Sequence, residues 1–233
     1  MNKDINKNNK FDHLTTVTKG VLGMIPVGGS LLSEIAGSII PNQRLDRFGE
    51  FLKALEQRLS LIEEKVLAEQ VSNHECIDLF EEAFIHASRA MSQVKRGYIA
   101  DILANGISAE RIEYSNSKVL LKLIAELNEQ EIIFLKFYAN SGANKDENFY
   151  ERHKKVIQRI HVHITSPQQD VDRAAIQSSY REHLERLGLV KRRFKIDKKT
   201  GLPKFNTQGE PEYSNPRITN LGSLLLKNIN ILS

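Results

Sequence analysis

Eight basic side chains crowd into the thirty residues from Gly188 to Arg217, and only Asp197, Glu210 and Glu212 oppose them. This local excess of +5 surpasses the +4 of the whole 233-residue chain, so the remainder is weakly acidic. Lys191, Arg192, Arg193, Lys195, Lys198, Lys199 and Lys204 alternate with Phe194, Ile196 and Phe205. A hairpin carrying those cations would lie along nucleic-acid phosphates or anionic lipid headgroups. The helix expected before it offers Arg173, Gln177, Ser178, Arg181 and His183 as outward hydrogen-bonding groups for bases or phosphates.

Other patterns that could do chemistry fall short on composition. Gly23 to Ser30 has the glycine spacing of a phosphate loop, but Gly29 stands where lysine must neutralise the phosphates and Pro26 removes a backbone donor. His161 and His163 alternate, yet zinc needs two further ligands and Cys76 is the sole cysteine. His74-Glu75 begins a metalloprotease helix, with Asp78 in place of the second histidine. Glu63-Glu64 and Glu81-Glu82 are neighbours about 100° apart on helices, which suits solvated faces and not acid–base partners. The expectation is therefore a binding protein without catalytic residues, metal or cofactor.

The elements that must position the basic segment are helical. Leu45, Phe48, Leu52, Leu55, Leu59, Ile62 and Val66 are spaced 3, 4, 3, 4, 3, 4, and the alternation restarts over Ile77, Phe80, Phe84, Ala87, Met91, Val94 and Tyr98. Two such seams joined at Ser72-Asn73 predict an antiparallel helical hairpin, with Ala83, Ala87 and Ala90 making room for bulky partners. Asn105-Gly106 predicts its stop. Packing inside one chain is the expected use of both seams, with a homo-oligomer through them as the competitor.

Gly20 to Pro41 holds five glycines, two prolines and one charge, Glu34. Gly23, Pro26, Gly28, Gly29, Ile35 and Gly37 mark it as a close-packing segment or a membrane-active one. As a single span it would be broken at Pro26–Gly29, so two short helices against the hairpin are expected. Residues 1–14 read as a disordered lead-in. No export signal is recognisable, which with one cysteine predicts a cytoplasmic protein, peripheral at the inner membrane if the glycine-rich segment meets lipid.

After Ser117 the units shorten. Lys118–Leu127 reads as a helix with Val119, Leu120, Leu123, Ile124 and Leu127 inward, and Asn128 with Glu131 reads as a capping box opening Glu129–Ala139. Asn148–Ile160 reads as a further helix within an insertion over 141–171. Asp170 or Asp172 would cap a helix to Leu187 stopped by Gly188, and Thr219 would cap a last helix. Three helices, a strand–turn–strand excursion with Lys198-Lys199-Thr200-Gly201 at its tip, and a closing helix give the order of a winged helix. The chain is thus expected to be mainly α: a helical region over 15–114 with the hairpin, then a winged-helix-like module with a small β wing over 115–233.

Tyr180-Arg181-Glu182-His183-Leu184-Glu185-Arg186-Leu187-Gly188-Leu189-Val190, followed by Ile218-Thr219-Asn220-Leu221-Gly222-Ser223-Leu224-Leu225, resembles the C-terminal half of the Abi-alpha type of bacterial abortive-infection proteins. The likeness is clearest over 117–233, where an arginine-leucine-glycine-leucine run pairs with threonine-x-leucine-glycine. Before that only the order matches, a Gly/Pro-rich apolar stretch leading into long helices. The insertion at 141–171 and the long basic wing depart from the pattern. The resemblance implies a prokaryotic protein of phage defence whose partner is another defence protein or nucleic acid, and it supplies no catalytic residues. A DNA-binding regulator dimerising through the seams, or a structural subunit of a larger complex, are the alternatives.

Overall fold

A computed structural model describes residues 29–40, 44–71, 73–108, 114–140, 146–207, 209 and 211–232. The described residues are mainly helical, with one small two-stranded sheet among them. It divides into two compact units, residues 1–126 with 228–231 and 233, and residues 127–227 with 232. The division falls between Glu126 and Leu127, twelve residues beyond the expected 114/115.

In the first unit α1 (Gly29–Ile39) leads into α2 (Leu45–Leu59), α3 (Glu64–Val71), α4 (His74–Arg89), α5 (Gln93–Ser108) and α6 (Tyr114–Glu126). Gly23, Pro26 and Gly28 lie outside the described residues. Leu32, Ala36 and Ile40 are buried along α1, which packs on α4. Gly37 faces open space, with nothing within 4 Å of where a Cβ would stand, so close packing does not demand glycine there. Among the described residues no helix is long and apolar enough to cross a membrane.

The two seams meet, but neither is a continuous rod. Phe48, Phe51, Leu52, Leu55 and Leu59 of α2 are buried against α4 and α5. Phe84 sets its ring edge-on to Phe48, Phe51 and Phe80, with centroids 5.2, 6.0 and 5.9 Å apart, an arrangement aromatic quadrupoles favour. Ala83 and Ala87 are fully buried beside these rings. The first seam ends at Leu59: Leu61 is exposed, Ile62 and Val66 are only half-buried, and burial resumes at Leu67 and Val71. The second breaks at Ala90, whose backbone is extended at ψ 123°. Ser92 then caps α5 by accepting from the Lys95 amide at 3.1 Å. Met91 and Val94, expected inside, are 74% and 53% exposed because the chain turns there. Among the described residues, Phe48, Leu52, Leu55 and Leu59 of α2 and Phe80, Phe84 and Ala87 of α4 are buried within one chain.

Asn105-Gly106 does not stop α5, which continues to Ser108. Gly106 instead lets α6 approach: a Cβ there would stand 2.5 Å from the Ser117 Oγ and 3.2 Å from Leu79. Accordingly α6 packs on α4 and α5, and so belongs to the first unit and not to the three-helix core expected for the module. Leu121 is buried there, whereas Val119, expected inside, is half exposed.

The second unit holds α7 (Glu129–Ala139), α8 (Glu147–Ile157), α9 (Gln168–Arg186), the antiparallel pair β1 (Val190–Lys191) and β2 (Arg217–Ile218), and α10 (Asn220–Asn228). The Asn128/Glu131 capping box forms as expected. α9 starts directly after Pro167, without a side-chain cap, so Asp170 and Asp172 lie inside it; they meet Arg173 and Gln168. Its end is the expected glycine stop: Gly188 adopts φ +70°, and the Gly188 and Leu189 amides donate to the Glu185 and Leu184 carbonyls.

The residues that carry the family resemblance form one packed corner. The Thr219 hydroxyl lies 2.7 Å from the Gly188 carbonyl oxygen, and it accepts from the Gly222 amide to cap α10. A Cβ on Gly222 would sit 2.3 Å from the Leu189 carbonyl oxygen, so only glycine fits. That pairing of sequence motifs is accounted for by packing.

Candidate nucleic-acid interface

Between β1 and β2 the chain makes a β arm, residues 192–216, with no helix among its described residues. Phe194 bridges Tyr213, Ile196 bridges Pro203, and Phe205 bridges Pro211. At its centre Lys195 donates its amide to Glu212, Glu212 to Lys204, and Lys204 back to Lys195, each at 2.8 Å. Amide and carbonyl of each residue thus serve different neighbours, and three short segments close into a ring. The tip is a tight turn: Asp197 accepts from the Lys199 and Thr200 amides at 2.7 and 3.2 Å, and Gly201 takes φ +71°. Those two amides hold the Asp197 carboxyl below its ordinary pKa.

The arm's cations divide into two groups. Arg192 is committed to the arm's root, where its guanidinium bonds Glu185 at 2.8 and 2.6 Å and lies over the Tyr213 ring at 4.9 Å. The same bond lowers the Glu185 carboxyl's pKa and raises that of Arg192. Lys195 pairs with Glu212 at 3.1 Å. Lys191, Arg193, Lys198, Lys199, Lys204 and Arg217 are exposed and form no ion pair among the described residues. Lys191 also stands directly opposite Arg217 across the β1/β2 pair. Like charges at facing positions repel, by about 0.2–1 kcal/mol.

The arm's apolar side chains do not form the inner face expected from their alternation. Phe194 and Ile196 are each 50% exposed, Phe205 61% and Leu202 64%. The ring is too thin to own a core, so these side chains lie among the lysines on its surface. The Phe194 ring lies beside that of Tyr213, with centroids 5.0 Å apart.

The preceding helix is less of a reading head than its sequence suggests. Gln177 is buried; its amide donates to the Val156 and Gln158 carbonyls at 2.8 and 2.9 Å and its oxygen accepts from Arg181 at 3.0 Å. It ties the end of α8 to α9 and cannot reach a base. His183 turns to Glu131, with Nδ1 2.7 Å from a carboxylate oxygen that is itself buried. Arg181 stacks over Phe134 at 5.2 Å. Arg173 and Ser178 remain outward, Arg173 3.6 Å from Asp170. His161 and His163 fall in an exposed irregular segment, not on a strand. Among the described residues no three His, Cys, Asp or Glu side chains cluster as metal ligands would.

Sequence reasoning missed two features here. In the sequence Arg217 reads as one more charge, because its register against Lys191 becomes visible only once the arm has closed. Arg159 lies in what reads as an insertion, yet it lines a groove with Arg181. Comparison of the chain with protein-family models, with curated proteins and with solved structures finds no match.

Proposed function

We propose that this is a non-enzymatic binding protein whose second unit acts as a winged-helix-type module and docks on nucleic acid through the β arm. In this reading the arm, and not α9, supplies most of the affinity, and recognition is largely of the phosphate backbone. One observation carries it: Lys191, Arg193, Lys198, Lys199 and Arg217 lack carboxylate partners among the described residues, and Lys204 feels Asp197 only at a distance, while Phe194 and Phe205 stand open between them. Cations interleaved with exposed aromatic faces suit a polyanion whose bases can stack. On the strength of the resemblance to Abi-alpha proteins we infer that this binding serves bacterial phage defence, with the helical first unit as effector or assembly surface.

The test is fluorescence anisotropy with unrelated-sequence duplex and single-stranded oligonucleotides between 50 and 200 mM salt, roughly the range over which counterion release becomes plain. Binding should weaken steeply with salt. Changing Lys198, Lys199 and Lys204 together to alanine should reduce the logarithmic salt slope by about 3 if each touches one phosphate. Binding to anionic phosphatidylserine vesicles in the absence of any oligonucleotide binding would replace nucleic acid with a lipid surface. The defence role is tested by phage plating on cells with and without the gene, where equal plaque counts would remove it.

A further inference from the structure

Two hollows in the second unit adjoin, sharing Arg159, Arg181, Asn215 and Pro216 in their walls, with volumes of about 360 and 260 Å³. They form one groove that is chemically uneven along its length. Phe137 and Tyr150 line the first lobe, with ring centroids 6.3 Å apart, beside Arg159 and Arg181. The second lobe adds Ser178, Glu182 and Arg192.

Arg159 is exposed and forms no ion pair among the described residues, so its guanidinium is available to an anion. Arg181 is held at the shared wall by Gln177 and the Phe134 ring, which fixes its direction without neutralising its charge. Two guanidiniums beside an aromatic shelf match a ligand with an anionic group and a flat ring a few ångströms apart. Arginine forks suit phosphate oxygens in particular. In the second lobe Arg192 is bonded to Glu185 and also feels the more distant Glu182, whose carboxylate lines the lobe as an acceptor for hydroxyl or amino donors. Phosphate at one end, a planar ring beside it and donor groups at the other is the pattern of a nucleoside phosphate.

We propose that this groove is a binding site for a nucleoside phosphate, with Arg159 and Arg181 on the phosphate, the Phe137–Tyr150 shelf under the base and Glu182 on ribose or base donors. The combined space is of the size that small-ligand clefts take, a few hundred Å³. The same chemistry comes from a free nucleotide or from the phosphorylated end of a strand. The site lies apart from the arm's tip, and the proposal does not rest on the tip's docking on nucleic acid.

The test is equilibrium dialysis of the full chain against AMP, ATP, adenosine, inorganic phosphate and a 5′-phosphorylated oligothymidylate, together with its unphosphorylated counterpart. AMP or ATP should bind saturably, with adenosine and phosphate each at least about tenfold weaker, a difference of about 1.4 kcal/mol. Arg159→Ala, at an exposed position, should weaken binding about tenfold or more, and Tyr150→Leu severalfold. The triple alanine change at Lys198, Lys199 and Lys204 should leave AMP binding unaltered, which separates this site from the arm. Phosphate-dependent binding of the oligonucleotide without AMP binding would support the site with a strand end as its ligand. No saturable binding of any nucleotide, phosphate binding as tightly as AMP, or an Arg159→Ala variant that binds like the parent would overturn it.

Discussion

Arg58, Arg96 and Lys118 in the first unit each lie against a carboxylate, those of Asp101, Glu50 and Asp78. In the arm of the second unit Lys191, Lys198 and Lys199 have none among the described residues, and Lys204 has only the more distant Asp197. The contrast extends to apolar groups: the α2/α4 aromatic cluster is sealed, while the arm's phenylalanines stand half open. At these bundle positions both kinds of side chain meet partners within the chain, and their loss should be felt as instability. In the arm both are largely exposed, and on the proposed function their loss should be felt as lost binding. Residue type alone would not have told the two uses apart.

Phe84→Ala should break the bundle side of this contrast most severely, costing about 3–5 kcal/mol in urea unfolding, because three rings lose their shared neighbour. Asp101→Ala comes next. It strands the Arg58 guanidinium, now 2.6 Å from the carboxylate, and the Asn230 amide at 2.8 Å. A loss of about 2–3 kcal/mol is expected, little altered by salt since the carboxylate is largely buried. A paired glycine experiment sharpens the packing argument. Gly106→Ala should cost about 1–3 kcal/mol by pushing α5 from α6, whereas Gly37→Ala should stabilise by about 0.5–1 kcal/mol at its open helical site. The smallest expected effect is on the arm. The triple alanine change at Lys198, Lys199 and Lys204 should move stability by no more than about 0.5 kcal/mol. A clear drop in melting temperature for that variant would erase the distinction between the two regions.

How much of this could be read in advance depended on range. The capping box at Asn128, the glycine stop at Gly188 and the Thr219 cap were legible because their partners lie within a few residues. The breaks at Leu59 and Ala90 were not, since the heptad spacing runs through them and the Ser92 cap reads as one more polar residue on a helix face. Gln177 was misplaced for a different reason: its carbonyl partners are 19 and 21 residues away, on a segment whose return path no local pattern discloses. The aromatic residues of the arm alternate as an inner face should. Alternation records which side chains share a side of a strand, but not whether anything lies against that side.

The closed triangle at Lys195, Lys204 and Glu212 has a consequence for solubility. A sticky, β-rich projection with open ladder groups would invite another molecule to add itself as the next strand, the usual first step toward fibrils or precipitate. Here the central amides and carbonyls are already spent on one another, and Pro203 and Pro211 offer no hydrogen to a newcomer. At these positions the projection therefore has no free amide to offer an added strand.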